Sequence, residues 1–446
     1  CLYGTITVEQ ILWQDNDHKF VPCGITRDYP DYEIRGVMFD VGRIPHRLQY
    51  LQDYTKILTW YKLNEFHLHL NDDFDYNADG LSTKTDITWT GVHRLESDTF
   101  PSLTDKQVYT GEKFEYFNEE YADPFYTKDE YRALEALANS RGIDLIAEFD
   151  TPSHSTAYIE YAKANPDNIE WLGEINTVGN QQMLALDVNS TNATEKQHAL
   201  NARKFITELY DDYLGGDNPT FMSDTVHVGA DEYWDKSNPE AFRGYVNFLS
   251  DLMASYGKTA RMWGAQLLFP GNTPISPDNI VLDIWATYED DPIARLAEGY
   301  RVVNVPQPYL YTTPGRDHKD MVVEEYLYKS WDPVIFNGDV RAEAGEPLLL
   351  GAKAALWGDE FREGITEADT HERMLRAAAM VAEKTWGGQE DEDSYIEYQM
   401  AFEELKEGPG TQIAHNIKSV SETVADYDLA KADKVLQRLL DCHIHN

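Results

Sequence analysis

Cysteine is scarce in this chain, with three in 446 residues: Cys1, Cys23 and Cys442. So few, so far apart, they neither staple a small disulfide fold nor make up a zinc-binding set. Positive charge is thin as well: 38 Lys and Arg stand against 78 Asp and Glu, a formal net charge of −40. A surface of that sign repels phosphate backbones and anionic bilayers, which argues against nucleic-acid binding. Most of the acids read as a solubilising surface. No run of about 18 apolar residues occurs, so no membrane-spanning helix is predicted, and no charged-then-apolar leader opens the chain. The first residue is Cys and not Met, so the chain reads as a piece excised from a longer protein. Calcium-loop spacing and a Gly-x-Ser-x-Gly nucleophile elbow are both missing.

What is present suits a globular enzyme. Hydrophobic residues make up 42% and aromatics 12%, in a length that accommodates one large α/β domain with accessory pieces. Short β-rich runs recur at Arg35–Val41, Glu65–Leu70, Ile143–Asp150, Thr225–Asp231, Thr259–Ala265, Ile280–Ala286, Arg301–Pro306 and Gly351–Gly358. Amphipathic helical stretches lie between them, including Arg47–Lys62, Thr127–Ser140, Glu195–Tyr213, Pro239–Tyr256 and Asp291–Glu298. Alternation of this kind predicts a parallel sheet with crossover helices, and eight repeats predict a closed (β/α)8 TIM barrel. Residues 73–126 and 307–350 interrupt the rhythm as long connections after the second and seventh strands, on the face where barrel enzymes work. Past residue 390 the pattern turns helical again, over Ser394–Lys406 and Gln412–Leu440, split by Gly408-Pro409-Gly410.

Chemistry concentrates at the carboxyl ends of the strands. The fourth ends in Asp231-Glu232, two adjacent acids that alternate across an extended strand unless the strand has already ended. They are either a solvated acidic loop or a pair turned toward one ligand. The second run ends in His67-Leu-His69-Leu-Asn-Asp72-Asp73 and the third in Glu148-Phe-Asp150-Thr-Pro-Ser-His154. Trp263, Trp285 and Trp357 rise from three further strands. They make either a cage for the apolar face of a sugar or a tryptophan seal on the barrel top. His67 and His69 with Asp72 invite a zinc-hydrolase layout, but no third histidine at a matching strand end completes a set.

Four segments in order carry a family resemblance: Arg35-Gly-Val-Met-Phe-Asp40-Val-Gly-Arg43, Trp60 through Asp73, Asp150-Thr-Pro-Ser-His154, and His227-Val-Gly-Ala-Asp231-Glu232. Together with Ala355-Leu-Trp357-Gly they resemble the family 20 glycoside hydrolases, the β-N-acetylhexosaminidases, from about residue 28 to 387. The resemblance implies a retaining, metal-free and cofactor-free exo-enzyme with no protein nucleophile. Its partner is an oligosaccharide or glycoconjugate ending in a β-linked N-acetylhexosamine, whose acetamido oxygen attacks its own anomeric carbon. By the same match Asp231 orients the acetamide, and Glu232 is the acid and base, with a pKa expected to be raised by burial and by Asp231. His154 and Asp72 form a relay behind Glu232. Tyr311, with Tyr309 as competitor, binds the acetamide oxygen, and Trp263, Trp285 and Trp357 wall the sugar. His227 is counted among the substrate-binding residues, Arg35 is expected to hold the 3- and 4-hydroxyls, and Asp359 the outer hydroxyls.

The resemblance also divides the chain. Residues 1–27 would be the remnant and linker of an α+β domain that precedes the barrel, 28–390 the barrel, and 391–446 a helical C-terminal extension. Asp359 departs from the family's more frequent Trp-x-Glu at the last strand. That departure resembles a branch of bacterial surface enzymes that trim host glycans, so an extracellular or cell-surface location is expected. Two alternatives stay open: a lacto-N-biosidase releasing Gal-β1,3-GlcNAc, against which Arg35 argues, and a catalytically inert carbohydrate-binding barrel.

Overall fold

A computed structural model of the chain describes residues 2–15, 17, 19–43, 45–75, 89–104, 125–173, 175–176, 182–314, 320–358, 367–387, 394–411 and 413. Eight strands form the centre: β1 (Ile34–Asp40), β2 (Glu65–His69), β3 (Asp144–Thr151), β4 (Thr225–Gly229), β5 (Thr259–Trp263), β6 (Ile280–Ile284), β7 (Arg301–Asn304) and β8 (Leu349–Leu356). Each pairs in parallel with the next, and β8 returns to β1, where Ile34 faces Gly351 and Phe39 faces Leu356. This is the predicted closed barrel, with every strand bound within two residues of its expected position. Parallel barrel strands are covered on both sides, which is why these segments read as near-continuous apolar runs.

Around the strands lie α1 (Leu2–Gln14), α2 (Leu48–Trp60), α3 (Lys128–Ser140), α4 (Thr156–Ala164), α5 (Ala193–Leu214), α6 (Pro239–Ser255), α7 (Pro292–Ala297), α8 (Gln307–Leu310), α9 (Glu324–Ser330), α10 (Glu367–Trp386) and α11 (Ser394–Leu405). Several start where the sequence supplies a cap. Thr127 and Glu130 form a reciprocal capping box at α3, and Asn192, Asn238 and Asp291 accept from the first free N–H groups of α5, α6 and α7. Proline at the first position of α6 and α7 fixes φ where no N–H is needed. No described helix is long and apolar enough to cross a membrane.

The described part of the 73–126 connection opens with an antiparallel hairpin, Asn71–Asp75 against Trp89–His93, at the exit of β2. The short strand Tyr311–Thr312 pairs with the end of β8, Tyr311 opposite Ala355. Both devices bring residues from long connections onto the carboxyl-end face. The second helical stretch expected over Gln412–Leu440 lies outside the described residues but for Ile413.

Arg35, expected to hold the sugar's 3- and 4-hydroxyls, does not line the carboxyl-end cavity. It stands near the amino end of β1, and its guanidinium points away from the carboxyl-end face. It donates to the carbonyls of Lys62 (3.1 Å), Tyr32 (2.8 Å) and Glu33 (3.1 Å) and to the Tyr3 hydroxyl (2.9 Å). The Tyr3 and Trp386 rings lie 5.4 and 5.2 Å from its guanidinium carbon. Arg35 therefore fastens α1 and the end of α10 to the base of the barrel. Beside it, α1 also meets α11 and α2, with Trp13 Nε1 donating to Glu404 O at 2.9 Å and Gln10 Nε2 to Trp60 O at 2.8 Å.

Charge fills the lower barrel interior. Arg261 pairs with Glu65 and, at 2.6 Å, with Asp283; Lys353 pairs with Asp283 at 2.5 Å and Glu65 at 3.2 Å. Two cations face two anions, all buried. Breaking such a layer from one side leaves an uncompensated buried charge, which is costlier than never having had it. Lys353→Met is expected to lower unfolding free energy by about 3–5 kcal/mol, read from chemical denaturation curves.

Candidate active site

The strand β4 ends at Gly229, and the turn that follows explains how two adjacent acids share one cavity. Gly229, Ala230 and Glu232 have φ of 73°, 80° and 47°. An extended chain sends neighbours to opposite faces; these left-handed residues re-aim the backbone so that Asp231 and Glu232 both line the cavity. His154 is also left-handed, at φ 51°. Such conformations in non-glycine residues cluster where surroundings over-determine them, commonly at sites of chemistry. Gly229 is required for a second reason: a Cβ there would stand 1.8 Å from Asp150 Oδ1.

The cavity is about 190 Å³. Arg43, Asp72 and Asp150 lie at its buried end, Asp231, Glu232 and His154 to one side, and Trp285, Tyr311, Thr313 and Trp357 form the wall. Tyr288 and Gln307 complete it toward solvent. Trp285 and Tyr311 lie parallel, ring centres 6.3 Å apart at 11°, and Trp357 tilts 50° to Tyr311 at 5.9 Å. One aromatic corner thus faces an arc of carboxylates.

The carboxylates are held by a chain of contacts that starts deep in the barrel. Glu148 Oε2 meets His69 Nδ1 at 2.7 Å and His67 Nε2 at 2.9 Å; its Oε1 accepts from Trp263 Nε1 at 2.7 Å and lies 3.0 Å from His227 Nδ1. The other nitrogen of His69 meets Asp72 Oδ2 at 2.7 Å. With a carboxylate at each nitrogen, His69 is held well above its ordinary pKa despite a burial effect of opposite sign. Asp72 in turn pairs with Arg43 at 2.6 Å and with His154 Nδ1 at 2.6 Å. His154 Nε2 faces Glu232 Oε2 at 3.4 Å.

These contacts decide where protons sit. His154 is pushed well above its ordinary pKa: burial opposes charging, but Asp72 and Asp150 outweigh it. Burial likewise pushes Glu232 up, yet the hydrogen bond and charge of His154, with Arg43 behind, hold it below its ordinary value. That reverses the expectation for Glu232. The imidazolium thus outweighs burial at Glu232, half of whose side chain is still exposed. The raised group is its neighbour. Burial pushes Asp231 up to about 7; His154 opposes it, and repulsion from Glu232 and Glu148 adds to it. Its Oδ1 has no hydrogen-bond partner among the described residues. Asp150 is raised too, by burial and then by Asp231.

Of the residues expected at the site, Asp72, His154, Asp231, Glu232, Trp285, Tyr311 and Trp357 line the cavity. Trp263 and His227 do not. Both are buried beneath it, bound to Glu148: His227 stands within β4, and Trp263, the last residue of β5, turns its indole inward. Tyr309 is turned away, its hydroxyl accepting from Gly338 N at 2.8 Å, which leaves Tyr311 in the cavity. Asp359 lies outside the described residues. Arg43 and Asp150 stand in the motifs without an expected role, and Thr313, Gln307 and Tyr288 were not singled out from sequence; for Arg43 the signal was its place just past the end of β1. His67, Glu148 and His227 do converge closely enough to hold a metal ion, contrary to the expected lack of a third histidine. Lys353 Nζ, 3.0 Å from His67 Nδ1, already supplies a cation there.

The pattern of the glycosyl hydrolase family 20 catalytic domain matches residues 32–389. The chain is 26% identical over 412 residues to the beta-hexosaminidase subunit alpha of Bos taurus, covering 86% of this chain and 66% of that protein. It is 27% identical over 390 residues to a beta-hexosaminidase of Vibrio furnissii, covering 80% and 57%. A lacto-N-biosidase of Bifidobacterium bifidum is 22% identical over 411 residues, covering 86% of this chain and 31% of that one. The chain thus spans about 57–66% of the hexosaminidases named here. Among solved structures, the beta-N-acetylhexosaminidase of Bacteroides fragilis superposes with a TM-score of 0.66 at 21% identity, over 90% of this chain and 78% of that one. The exo beta-N-acetylglucosaminidase of Vibrio harveyi, in complex with N-acetylglucosamine, gives 0.63 at 23%, over 85% and 58%. Both share the fold.

Asp231 provides a measurable consequence. Its folded pKa of about 7 lies above the ordinary 3.8, so the folded state keeps a proton that the unfolded chain releases. Stability is therefore lost as pH rises from about 4 toward 7, then levels off. Asp231→Asn removes that loss. Its melting temperature relative to the native chain should rise by a few degrees between pH 4 and pH 8 in thermal denaturation, and a constant difference across that range would contradict the assignment.

Proposed function

The chain belongs to glycosyl hydrolase family 20, and from that premise we propose that it is a retaining exo-β-N-acetylhexosaminidase that uses the substrate's own acetamide as nucleophile. The observation that carries this reading is the pairing of a buried Asp231 with a half-exposed Glu232 around one small cavity walled by Trp285, Tyr311 and Trp357. Two carboxylates of such different exposure suit two different tasks. Glu232, reachable from solvent, handles protons at the glycosidic oxygen. Asp231, buried and short of a partner, accepts the acetamide N–H and stabilises the positive charge that develops on it.

The proton for Glu232 is at hand. In the empty cavity it resides on His154, 3.4 Å away, held by Asp72 on the far side. A sugar filling the cavity displaces water from Glu232, which favours its neutral form and draws that proton across. Glu232 then protonates the leaving oxygen as the acetamide oxygen closes on the anomeric carbon. In the second half, the Glu232 carboxylate takes a proton from water as it opens the oxazolinium ring, which returns the anomeric configuration to its starting state. The aromatic walls stack on the apolar sugar face and exclude water.

Release of a single sugar is favoured by size. The cavity of about 190 Å³ lies below the roughly 300–1,000 Å³ of sites for drug-sized ligands, and Arg43 and Asp72 close its end. This replaces Arg35 as the argument against disaccharide release. An extracellular or cell-surface location belongs to the same proposal, supported by the acidic composition and a glycan substrate.

Release of nitrophenol from its N-acetyl-β-glucosaminide tests the reading. Glu232→Gln should lower the rate by at least about 10²-fold, and azide should restore Glu232→Gly but not Asp231→Gly; an inactive native chain that still binds N-acetylglucosamine would instead identify an inert binding barrel. Arg43→Lys, which loses the planar fork, should lower kcat/KM about 10–100-fold, mostly through KM.

A further inference from the structure

Asp150 lines the cavity but has no task in the mechanism proposed. It is held in place from two neighbouring strands. The Asn71 side chain, just past β2, accepts from Asp150 N at 2.7 Å and donates to the carbonyls of Asp150 and His154, at 3.0 Å each. The end of β3 and the turn after it are thereby fixed as one piece. From the other side, Ala230 N donates to Asp150 Oδ1 at 3.2 Å, and this oxygen fills the space that a side chain at Gly229 would need. The left-handed turn that brings Asp231 to the cavity is therefore built around the Asp150 carboxyl.

Two carboxyls consequently meet at depth. Asp150 is 1% and Asp231 7% exposed, and an oxygen of each lies within 4.8 Å of the other and of a His154 ring nitrogen. The side chains are hydrogen-bonded to each other. Carboxylates only accept, so such a bond requires a proton on one of the two. His154 stands 3.9 Å from Asp150 Oδ2, too far for a hydrogen bond. It and His69 favour an Asp150 anion, but burial, Asp231 and Glu148 oppose one and prevail. Tyr158, Tyr210 and Tyr245, within electrostatic reach on α4, α5 and α6, are raised above their ordinary pKa and bring no charge. Asp231 has Glu232 and Glu148 against its ionisation, and His154 and the hydrogen bond with Asp150 in its favour.

We propose that Asp150 is a positioning residue that stays neutral near neutral pH and donates its proton to Asp231, so that the two buried carboxyls together carry one negative charge beside the acetamide. The inference rests on the hexosaminidase reading and deepens it. One charge matches the single positive charge that forms on the acetamide, whereas a second would be buried with no counterpart. The donated hydrogen bond also fixes the rotation of the Asp231 carboxylate and leaves its unpartnered Oδ1 for the acetamide N–H. His154 then answers Asp72 on one side and the single charge of the pair on the other.

Asp150→Asn and Asp150→Ala separate a neutral donor from an anion. An asparagine amide donates as the protonated acid does, so on the nitrophenyl glycoside Asp150→Asn should retain at least about tenfold more kcat/KM than Asp150→Ala. The pH profile supplies a sign. Losing a donor makes Asp231 harder to ionise, so the acid limb of kcat/KM in Asp150→Ala should move up by about one pH unit; losing a neighbouring anion would move it down. A downward move, or equal losses in the two variants, would overturn the shared proton and leave the hexosaminidase reading intact. Infrared spectra need no turnover. A neutral-carboxyl band should persist in the native chain at about pH 8 and be absent from Asp150→Asn; identical spectra in that region would overturn the proposal. A native chain that shows the band but is inert on the nitrophenyl glycoside would support the shared proton and overturn the hexosaminidase reading alone.

Discussion

The Glu148 carboxylate, deep in the barrel and facing four donor groups, is the contact on which the rest of the site depends. His67 and His69 reach it from β2, His227 from β4 and Trp263 from β5, at 2.7–3.0 Å. A buried carboxylate costs several kcal/mol of desolvation unless its oxygens are satisfied, and here both are, which holds it well below its ordinary pKa. Three strands are thereby locked in register around one anion. Because Glu148 keeps His69 protonated, His69 can orient Asp72, and Asp72 can hold both Arg43 and His154. The cavity inherits its geometry from a residue it never exposes.

This arrangement also explains why the barrel tolerates so much internal charge. Below Glu148, the Glu65, Arg261, Asp283 and Lys353 layer is neutral as a set, and Lys353 reaches up to His67. Above it, Arg43 and His154 answer Asp72. Acid and base alternate along the barrel axis, so each buried ion has a partner on more than one side. Ion networks of this kind add little net stability over apolar packing, but they penalise every arrangement in which a partner is missing. Side-chain placement at the top is then fixed by contacts at the bottom.

The sequence made the barrel legible and misled at residues whose depth along a strand mattered. Strand and helix positions follow from periodicity, which the backbone obeys within two residues. Arg35 and His227 fail for one reason: each sits within a strand, below the face its motif points to; Trp263 does end β5, but its indole turns inward to donate to Glu148. At about 3.3 Å per residue, Arg35 lies roughly 16 Å below the carboxyl end of β1, whereas Arg43 stands just beyond it. That arithmetic, applied to the motif, separates the two arginines. The pKa order of Asp231 and Glu232 was not legible. It depends on which acid the left-handed turn after Gly229 sets against His154 and which it buries, and on His154 and Asp150, which reach the site from β3 and the turn after it.

That inversion bears on the chemistry. An acid with a raised pKa is usually assigned the proton-donating role, which would make Asp231 the acid and leave Glu232 as nucleophile. Geometry argues otherwise. Asp231 lines the cavity as a buried group with Asp150 against it, whereas Glu232 is half exposed and has His154 to supply and reclaim a proton. A carboxyl whose ionisation is opposed by burial becomes easier to ionise when a positive charge forms beside it. In the proposed mechanism an acetamide turning into an oxazolinium brings such a charge, and brings it only as the barrier is crossed. On that proposal Asp231 interacts more strongly with the transition state than with the bound sugar, which is the condition for a group to accelerate a reaction and not merely tighten binding.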